Sequence, residues 1–472
     1  MRRHKIISLL AGPISCVLLA LLIPTNYAFV LGIISWMLIW WITEVVPMGV
    51  TSLLPIVLFP ASGILSIEKT TLSYGNKFVF LFLGGFIIAL AMEKWQLHKR
   101  LALGIVKRTG SGANHIILGF LLSSYLISMW ISNTATALMM FPIALSVVQL
   151  LLGEDKKLHG RGQKNFAIAL MLSIAYGSSI GGIATLVGSP PNAAMAGILS
   201  SEVFHRQVSF FDWLKLGLPF SFALLLITYF ILVKLAYPNK LGKFPLGNEI
   251  IEKEYQVLGR WTMEQKLVFT VFVLTAIFWI IQEPISAAVK PYGVEFSDVS
   301  IAMIAGIVLF ILPSSNKTER LLEWDDTSKL PWGVLLMFGG GLALAEAFKA
   351  SGLIDQITIL MNTLQGQSTF LFVSTLCFTG LILTALMSNL AMVNIFVPVV
   401  GALAVGLNID PVLFAIPVTI AASCDFMFPM STPPNAIAYS SGYVKASQMF
   451  KAGIWINIVS QLLLMALLWI IL

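Results

Sequence analysis

Long apolar segments, separated by short polar ones, run along the whole chain. An apolar stretch of roughly 17–25 residues can cross a bilayer as a helix, and the sequence contains about 11 stretches of this kind. The pattern therefore predicts an all-α polytopic membrane protein. The predicted membrane helices lie near residues 6–23, 27–43, 46–60, 78–97, 165–199, 214–236, 264–282, 298–313, 331–348, 410–444 and 450–472.

Two further apolar regions each contain a polar pair near their middle. Residues 114–150 are interrupted by Ser132-Asn133, and residues 367–407 are interrupted by Ser388-Asn389. Non-helical backbone is tolerated at membrane depth only where it faces protein or a water-filled cavity. Each region is therefore predicted to form a re-entrant hairpin, which dips into the protein and returns to the side from which it came.

Composition supports the membrane interpretation and gives the chain an orientation. Of the 472 residues, 58% are hydrophobic and 11% are charged, whereas soluble domains have roughly 25% charged residues. The net charge of +7 does not indicate nucleic-acid binding, because the basic residues lie in loops rather than in one dense run. With a cytoplasmic N-terminus and both hairpins returning, most of the 29 lysines and arginines fall on the cytoplasmic side of a cell membrane. The C-terminus is then outside.

The sequence gives no support for enzyme or cofactor chemistry. Cys16, Cys377 and Cys424 lie inside apolar segments without metal-ligand spacing. No cluster of His, Asp and Glu residues suggests a catalytic centre near the bilayer. The first helix is predicted to stay uncleaved, because it lacks a small-residue cleavage site. We therefore expect a membrane protein that is not an enzyme and that needs no cofactor.

Polar motifs of the first half of the chain recur in the second half. The corresponding motifs are Gly84-Gly85 with Gly340-Gly341, Ser128 with Thr384, Ser132-Asn133 with Ser388-Asn389, and Gly188-Ser189-Pro190-Pro191-Asn192 with Ser431-Thr432-Pro433-Pro434-Asn435. An odd number of predicted helices separates the two Ser-Asn pairs, so the two copies are predicted to be inverted. Inverted repeats with broken helices that meet near the bilayer midplane are a recurring transporter architecture.

The repeated motifs offer oxygen atoms and helix ends but no cationic side chain. Two successive prolines remove backbone donors and break a helix. The exposed helix ends can bind an anion through N–H groups and a cation through C=O groups. Neither motif contains Arg or Lys, so a bound dianion needs countercharge from co-bound cations. Hydroxyl, amide and carbonyl oxygens suit Na⁺, and the sequence predicts two cation sites flanking one substrate.

At these residues the chain resembles the divalent anion:sodium symporter family of di- and tricarboxylate transporters. The motifs that carry the resemblance are Thr43-Glu44-Val45-Val46-Pro47, Leu83-Gly84-Gly85, Ser132-Asn133-Thr134, Gly188-Ser189-Pro190-Pro191-Asn192 and Ser431-Thr432-Pro433-Pro434-Asn435. The resemblance implies a homodimer in which a transport domain moves against a scaffold domain by an elevator motion. It also implies a dicarboxylate substrate such as succinate, malate, fumarate or 2-oxoglutarate, or citrate, with Na⁺ as the coupling ion.

The resemblance divides the chain and assigns roles to residues. The predicted parts are scaffold helices at 1–77, a first transport half at 78–213, scaffold and linking helices at 214–330, and a second transport half with the last helix at 331–472. The first cation site would comprise Ser128, Ser132, Asn133 and the backbone of Gly188, and the second Thr384, Asn389 and the backbone of Met387 and Ser431. The substrate would meet Ser132, Asn133, Thr134, Ser388 and Asn389, with Ser189, Thr432 and Pro433 close by.

Two residues depart from the family pattern. Leu390 follows the second Ser-Asn pair where Thr134 follows the first, so one hydroxyl is missing on the substrate side. Asp425 is an acid in an otherwise apolar stretch, which makes it a candidate proton or cation site. The alternative is that Asp425 caps a broken helix or lies near the surface. Glu44 and Glu93 are expected at helix ends in structural roles.

Na⁺-coupled dicarboxylate symport is the leading hypothesis from the sequence. The main alternative is Na⁺-independent exchange of one dicarboxylate for another, which some members of the family perform. Leu390 and Asp425 leave this choice open. A channel and a membrane-embedded enzyme are remote alternatives, because two broken-helix half-sites favour occlusion over a continuous pore and because no catalytic constellation is present.

Overall fold

The computed structural model describes residues 2–23, 25, 27–150, 158, 160–242, 245–316, 319–362 and 368–471. Within these residues the chain is helical and contains no strand beyond an isolated bridge between Pro313 and Arg320. Eight of the described helices are long and apolar enough to cross a membrane. The prediction of an all-α polytopic membrane protein is confirmed.

A group of N-terminal helices comes first. They are α1 (Arg2–Leu22), α2 (Ala28–Thr43), α3 (Met48–Thr51), α4 (Leu54–Ala61) and α5 (Ile67–Tyr74). The helix predicted at 46–60 is present as α3 and α4, which are interrupted at Ser52 and Leu53. Pro55, near the start of α4, has no backbone N–H and cannot continue the hydrogen-bond ladder of α3.

The next run of helices contains the first copy of the repeated motifs. It consists of α6 (Lys77–Lys94), α7 (Leu97–Thr109), α8 (Ala113–Ser128), α9 (Asn133–Gln149), α10 (Gly160–Ala184) and α11 (Pro190–Leu199). The linking helices that follow are α12 (Phe210–Phe230), continued by a π-helical segment at Ile231–Ala236, then α13 (Pro245–Val257), α14 (Met263–Ile280), α15 (Gln282–Val289) and α16 (Asp298–Ile311).

A second run repeats the order of the first. It consists of α17 (Trp332–Ala350), α18 (Leu353–Asn362), α19 (Thr369–Thr384), α20 (Asn389–Gly406), α21 (Pro411–Ala422) and α22 (Pro433–Ser440), and α23 (Ala446–Ile471) ends the chain. Each run begins with a long helix and a short helix. Two helices that meet at Ser-Asn follow, and then two helices separated by a break before Pro-Pro. The breaks predicted in 114–150, 165–199, 367–407 and 410–444 are therefore confirmed.

The sequence pattern missed five short helices among the described residues, α5, α7, α13, α15 and α18. Of these, α7, α13 and α18 are amphipathic and carry charged or polar residues along one side. In α7, for example, Leu97, Leu103 and Val106 are buried. A search for long apolar stretches rejects such helices, because only one face of each is apolar. Since α7 and α18 occupy the same place in the two runs, they belong to the repeat.

The two hairpins enter the molecule from opposite ends. Asn114 at the start of α8 accepts a hydrogen bond from Asn239 at 2.8 Å, and Asn165 beyond α9 donates to the Pro238 carbonyl at 2.8 Å. Both ends of the first hairpin therefore lie beside the segment that follows α12. The segments flanking the second hairpin instead meet the segment that precedes α12, because Lys349 donates to the Glu202 carbonyl at 2.6 Å and Arg206 pairs with Asp410 at 3.1 Å.

The broken helices join the two runs into one core. The second part of the first broken helix, α11, packs against α17, α20 and α21 of the second run. The equivalent helix α22 packs against α9 and α10 of the first run. The last helix of each run therefore packs against helices of the other run. Helix α10 lies at the centre, and every residue from Phe166 to Ala184 is buried.

Candidate functional site

The first half-site, residues 128–134 together with 182–192, begins at the tip of the first hairpin. The Ser128 hydroxyl donates to Asn133 Oδ1 at 2.7 Å across the turn between α8 and α9. Ser132 caps α9, since its hydroxyl accepts the backbone N–H of Ala135 at 3.2 Å. Ser132 is also the kind of residue favoured at a helix start. The structure thus brings Ser128, Ser132 and Asn133 together at one hairpin tip.

The end of α10 approaches this tip so closely that only glycine fits. A Cβ atom added to Gly182 would lie 2.4 Å from Asn133 Oδ1, and one added to Gly188 would lie 2.8 Å from the Gly182 carbonyl and 3.0 Å from the Met129 carbonyl. The Thr185 hydroxyl donates to that Met129 carbonyl at 2.5 Å. Amide, carbonyl and hydroxyl oxygens therefore converge beside Gly188. These are the hard oxygen atoms that alkali and alkaline-earth cations prefer.

Asn192 of the Pro-Pro-Asn motif holds the broken helix together. Its Nδ2 donates to the carbonyls of Gly182 at 2.9 Å and Thr185 at 2.8 Å, which are left without helical partners near the end of α10. Asn192 Oδ1 is buried and has no hydrogen-bond partner. The Asn192 amide nitrogen thus satisfies the two free carbonyls at the helix break, and its amide oxygen remains available as an acceptor.

The second half-site, residues 384–390 together with 425–435, repeats this arrangement. The Thr384 hydroxyl donates to Asn389 Oδ1 at 2.8 Å and contacts the Ala422 carbonyl at 2.7 Å. Ser388 caps α20 by accepting the Ala391 N–H at 3.2 Å. The structure therefore brings Thr384, Ser388 and Asn389 together. Met387 lies at the same hairpin tip, where its N–H bonds the Leu383 carbonyl.

Asn435 spans the second break as Asn192 spans the first. Its Nδ2 lies 3.4 Å from the Asp425 carbonyl, 3.1 Å from the Phe428 carbonyl and 3.2 Å from Ser431 Oγ. Asn435 Oδ1 is buried without a partner, like Asn192 Oδ1. The matching bonds show that Asp425 and Phe428 occupy the positions of Gly182 and Thr185. Ser431 correspondingly stands at the position of Gly188.

A cavity of about 230 Å³ lies against the first half-site. Ser132 and Thr134 contribute its polar wall, and Glu93 and Lys329 contribute charged groups. A second cavity of about 10 Å³ is lined by Ser132, Gly188 and other residues of the first run, a volume close to that of one water. Ser132 therefore separates a cavity large enough for a small solute from one large enough for a single ion or water.

The predicted substrate residues are not all brought to this cavity. Ser189 is buried at the start of α11, and Thr432 is buried at the start of α22, where its hydroxyl accepts the Asn435 N–H at 3.4 Å. Pro433 is exposed. Within the part of the chain that the structure describes, the wall of the large cavity includes none of Ser388, Asn389, Thr432 or Pro433.

Lys329 and Glu93 are cavity residues that the motifs did not identify. Glu93 lies near the end of α6, as expected, but it faces the cavity. Lys329 lies just before α17, in a segment tied to α6 by the Lys94–Asp326 ion pair at 2.7 Å. Partial burial by itself raises the pKa of Asp326, but hydrogen bonds from the Glu323 N–H and Lys94 lower that pKa below its ordinary value. No motif signals Lys329, because it ends a short 3-10 helix (Trp324–Lys329) outside both copies of the polar pattern.

Comparison with known proteins gives full-length matches. A family model described as the sodium:sulfate symporter transmembrane region matches residues 4–472. The sodium-dependent dicarboxylate transporter SdcS of Staphylococcus saprophyticus is 37% identical over 467 residues, which cover 97% of this chain and 89% of that protein. SdcS of Staphylococcus aureus is 37% identical over 470 residues, or 98% and 90% of the two chains.

One solved structure bears on the fold alone. The crystal structure of the Alcanivorax borkumensis YdaH transporter, described as having an unusual topology, aligns with a TM-score of 0.59 at 14% sequence identity. The match covers 85% of this chain and 88% of that chain. The helical architecture is therefore similar over most of both proteins.

Proposed function

The chain belongs to the sodium:sulfate symporter family, and we propose that it is a secondary active transporter that couples Na⁺ entry to the uptake of C4-type dicarboxylates. Succinate, malate, fumarate and 2-oxoglutarate are the proposed substrates. The resemblance to divalent anion:sodium symporters is confirmed by the family match and by the relatives. Because the family and the relatives are transporters, the chain is a membrane transporter and not an enzyme.

The paired hydrogen bonds of the two hairpin tips carry this proposal. Ser128 with Asn133 and Thr384 with Asn389 form the same hydroxyl-to-amide contact at 2.7 and 2.8 Å. Each tip also lies beside a backbone carbonyl at a helix end, that of Met129 in the first half-site and that of Ala422 in the second. We propose that each half-site binds one Na⁺, the first with Ser132 and the Gly188 backbone, the second with the Met387 and Ser431 backbones. Oxygen ligands without a fixed cation favour this chemistry.

We propose that the dicarboxylate binds between the two tips and is held on one side by Ser132, Asn133 and Thr134. On the other side the proposed contacts are Ser388 and Asn389, with Ser189, Thr432 and Pro433 near the substrate. Two bound Na⁺ ions would offset the dianion's charge, which is otherwise expensive in a low-dielectric site. The cavity beside Ser132 and Thr134 supports a binding position on the first side.

The transporter function also bears on the orientation and movement of the chain in the membrane. We propose a cytoplasmic N-terminus and an outside C-terminus in a cell membrane, because the predicted inside loops carry most of the basic residues. The cavity beside Lys329 then opens toward the cytoplasm. We further propose a homodimer with scaffold parts at 1–77 and 214–330, and transport halves at 78–213 and 331–472 that move together in an elevator motion.

Uptake into proteoliposomes tests the proposal. Purified protein should accumulate radiolabelled succinate when an inward Na⁺ gradient is imposed, and a K⁺ gradient of the same size should not replace it. Succinate should also raise the apparent melting temperature of the detergent-solubilised protein more in Na⁺ than in K⁺, since a ligand that binds only the folded state stabilises it.

The main alternative gives the opposite result in the same vesicles. An exchanger would take up labelled succinate only when unlabelled dicarboxylate is loaded inside, and it would be indifferent to Na⁺. That pattern would reject symport while leaving dicarboxylate transport intact. Empty liposomes and liposomes with an Asn133→Ala variant provide the background.

A further inference from the structure

The symmetry of the two breaks places Asp425 where the first half-site has a glycine. Asn192 bonds the carbonyl of Gly182, and Asn435 approaches the carbonyl of Asp425 in the same way. At Gly182 there is no room for any side chain, because the Asn133 amide lies against its Cα. At the equivalent position of the second half-site the chain instead carries a carboxyl group.

Room for this carboxyl group comes from an earlier helix end. In the first run, α10 continues to Ala184 and contains Gly182 in its last turn. In the second run, α21 already ends at Ala422, so Asp425 lies in a longer non-helical segment between α21 and α22. The end of α21 contacts the second hairpin through the Thr384 hydroxyl and the Ala422 carbonyl, at 2.7 Å, three residues before Asp425.

Neither alternative considered for Asp425 agrees with its position. The residue is 0% exposed, so it does not lie near the surface. It also caps neither helix, because Ser423 ends α21 and Thr432 begins α22. A buried carboxyl group with no capping role needs another partner, since burial of an unpaired charge is costly.

The oxygen atoms around Asp425 lack a cationic partner. Its Oδ1 accepts a long hydrogen bond from the Met427 N–H at 3.5 Å, Ser431 lies within hydrogen-bonding reach, and its Oδ2 is buried without a partner. The neighbouring Asn435 Oδ1 is also unpartnered. Among the residues that the structure describes, no lysine, arginine or histidine forms an ion pair with Asp425.

Helices α10 and α23, which pack against the segment around Asp425, contribute neutral polar side chains to it. Tyr176 of α10 donates to the Phe426 carbonyl at 3.0 Å, and Asn457 of α23 accepts the Phe426 N–H at 3.2 Å. Cys424 is the adjacent titratable residue, and it is buried. The unpartnered carboxylate and amide oxygens therefore point to a small cation with oxygen ligands as the missing partner.

We propose that Asp425 is a carboxylate ligand of the second Na⁺ site, so that this site is charged whereas the first is built from neutral oxygens. The inference rests on the proposed Na⁺-coupled function. With Na⁺ bound, Asp425 and the ion neutralise each other, and the second half-site holds its ion more tightly than neutral ligands would. The Na⁺ of the first half-site then offsets one of the two negative charges of the dicarboxylate.

Sodium titrations of Asp425→Asn test the ligand role. The Na⁺ concentration for half-maximal succinate uptake should rise at least about tenfold, because a charge-assisted contact is replaced by a neutral one. The KM for succinate at saturating Na⁺ should change by less than about threefold, since the first-side contacts remain. Stabilisation of the detergent-solubilised protein by Na⁺ without succinate should weaken in parallel. Asp298→Asn removes a partly buried carboxylate at the start of α16, outside both half-sites, and should leave the Na⁺ titration unchanged.

The outcomes separate this inference from the proposed function. If Asp425→Asn does not fold, Asp425→Gly replaces it, because glycine is the residue that the first half-site has at this position. Wild-type uptake that requires Na⁺, combined with an unchanged Na⁺ titration in the variant, would overturn the ligand role alone. A loss of pH dependence with unchanged Na⁺ affinity would overturn it in favour of a proton site. Wild-type uptake indifferent to Na⁺ would instead reject the proposed function.

Discussion

The two half-sites share their hydrogen bonds but not the side chains around them. Ser128 with Asn133 corresponds to Thr384 with Asn389, and Asn192 and Asn435 span their breaks in the same way. The first half-site is closed by backbone contact at glycines. The second has a longer break, which carries Asp425, Phe428 and Ser431 where the first has Gly182, Thr185 and Gly188. The repeat therefore preserves a backbone arrangement, and equivalent substitutions should have unequal effects where the side chains differ.

The shared feature should give the largest effect. Asn133→Ala and Asn389→Ala should each reduce succinate uptake to background, because each removes the amide oxygen that accepts the hairpin hydroxyl. Both variants should still be recovered as folded protein in detergent. Asn165→Ala serves as control, since the hydrogen bond from Asn165 to the Pro238 carbonyl is exposed and lies outside both half-sites. Wild-type uptake by both variants would show that the paired amides do not form the site.

The second-largest effect is expected where α10 approaches the first hairpin tip at Gly182. Gly182→Ala should lower the uptake rate about tenfold or more, because its Cβ would lie 2.4 Å from Asn133 Oδ1 and displace the amide. Gly306→Ala in α16 is the matched control, since a Cβ there meets Ile87 only at 3.5 Å or more. If Gly182→Ala transports as well as the Gly306 variant, the close approach at α10 has no functional role.

The charged cavity wall is expected to have a moderate effect. Lys329→Gln should raise the KM for succinate presented on the cytoplasmic side about three- to tenfold while changing kcat by less than about twofold, because an exposed cation attracts a dianion more than it fixes its bound geometry. The increase should shrink at high ionic strength. Lys290→Gln, at an exposed position outside this cavity, is the control. An unchanged KM with Lys329→Gln would indicate that substrate does not pass through this cavity.

The smallest functional effect is expected at the position where the hairpins differ. Thr134 lines the cavity, whereas Leu390 is buried with only 7% of its surface exposed. Leu390→Thr should therefore change the KM for succinate by less than about twofold, and should lower the free energy of unfolding by about 1–3 kcal/mol through lost apolar burial and a buried hydroxyl. Thr134→Val should raise the KM instead. Thermal unfolding and uptake kinetics of the two variants measure both quantities, and tighter binding by Leu390→Thr would contradict the comparison.

Much of the site follows from sequence because its signals are local. A Ser-Asn pair inside an apolar stretch and two successive prolines each interrupt a helix by their own chemistry. The structure accordingly has α8 and α9 meeting at Ser132, α19 and α20 meeting at Ser388, and a break before Pro190 and Pro433. Other features have no local signal. Lys329 reaches the cavity through the packing of α6 against the segment before α17, and amphipathic α7 and α18 do not form long apolar stretches.

The sequence by itself determined an all-helical membrane chain, its two broken repeats and its family, because long apolar segments and their polar interruptions reflect the cost of exposing backbone polar groups to lipid. It also identified Asp425 as unusual. Only the tertiary structure decided that Asp425 replaces Gly182 in an otherwise matching set of hydrogen bonds, and that Thr134 faces a cavity while Leu390 is buried. The cavity beside Thr134 depends on how α9 lies against α6 and the segment before α17, and such long-range packing is not encoded in the spacing of any one motif.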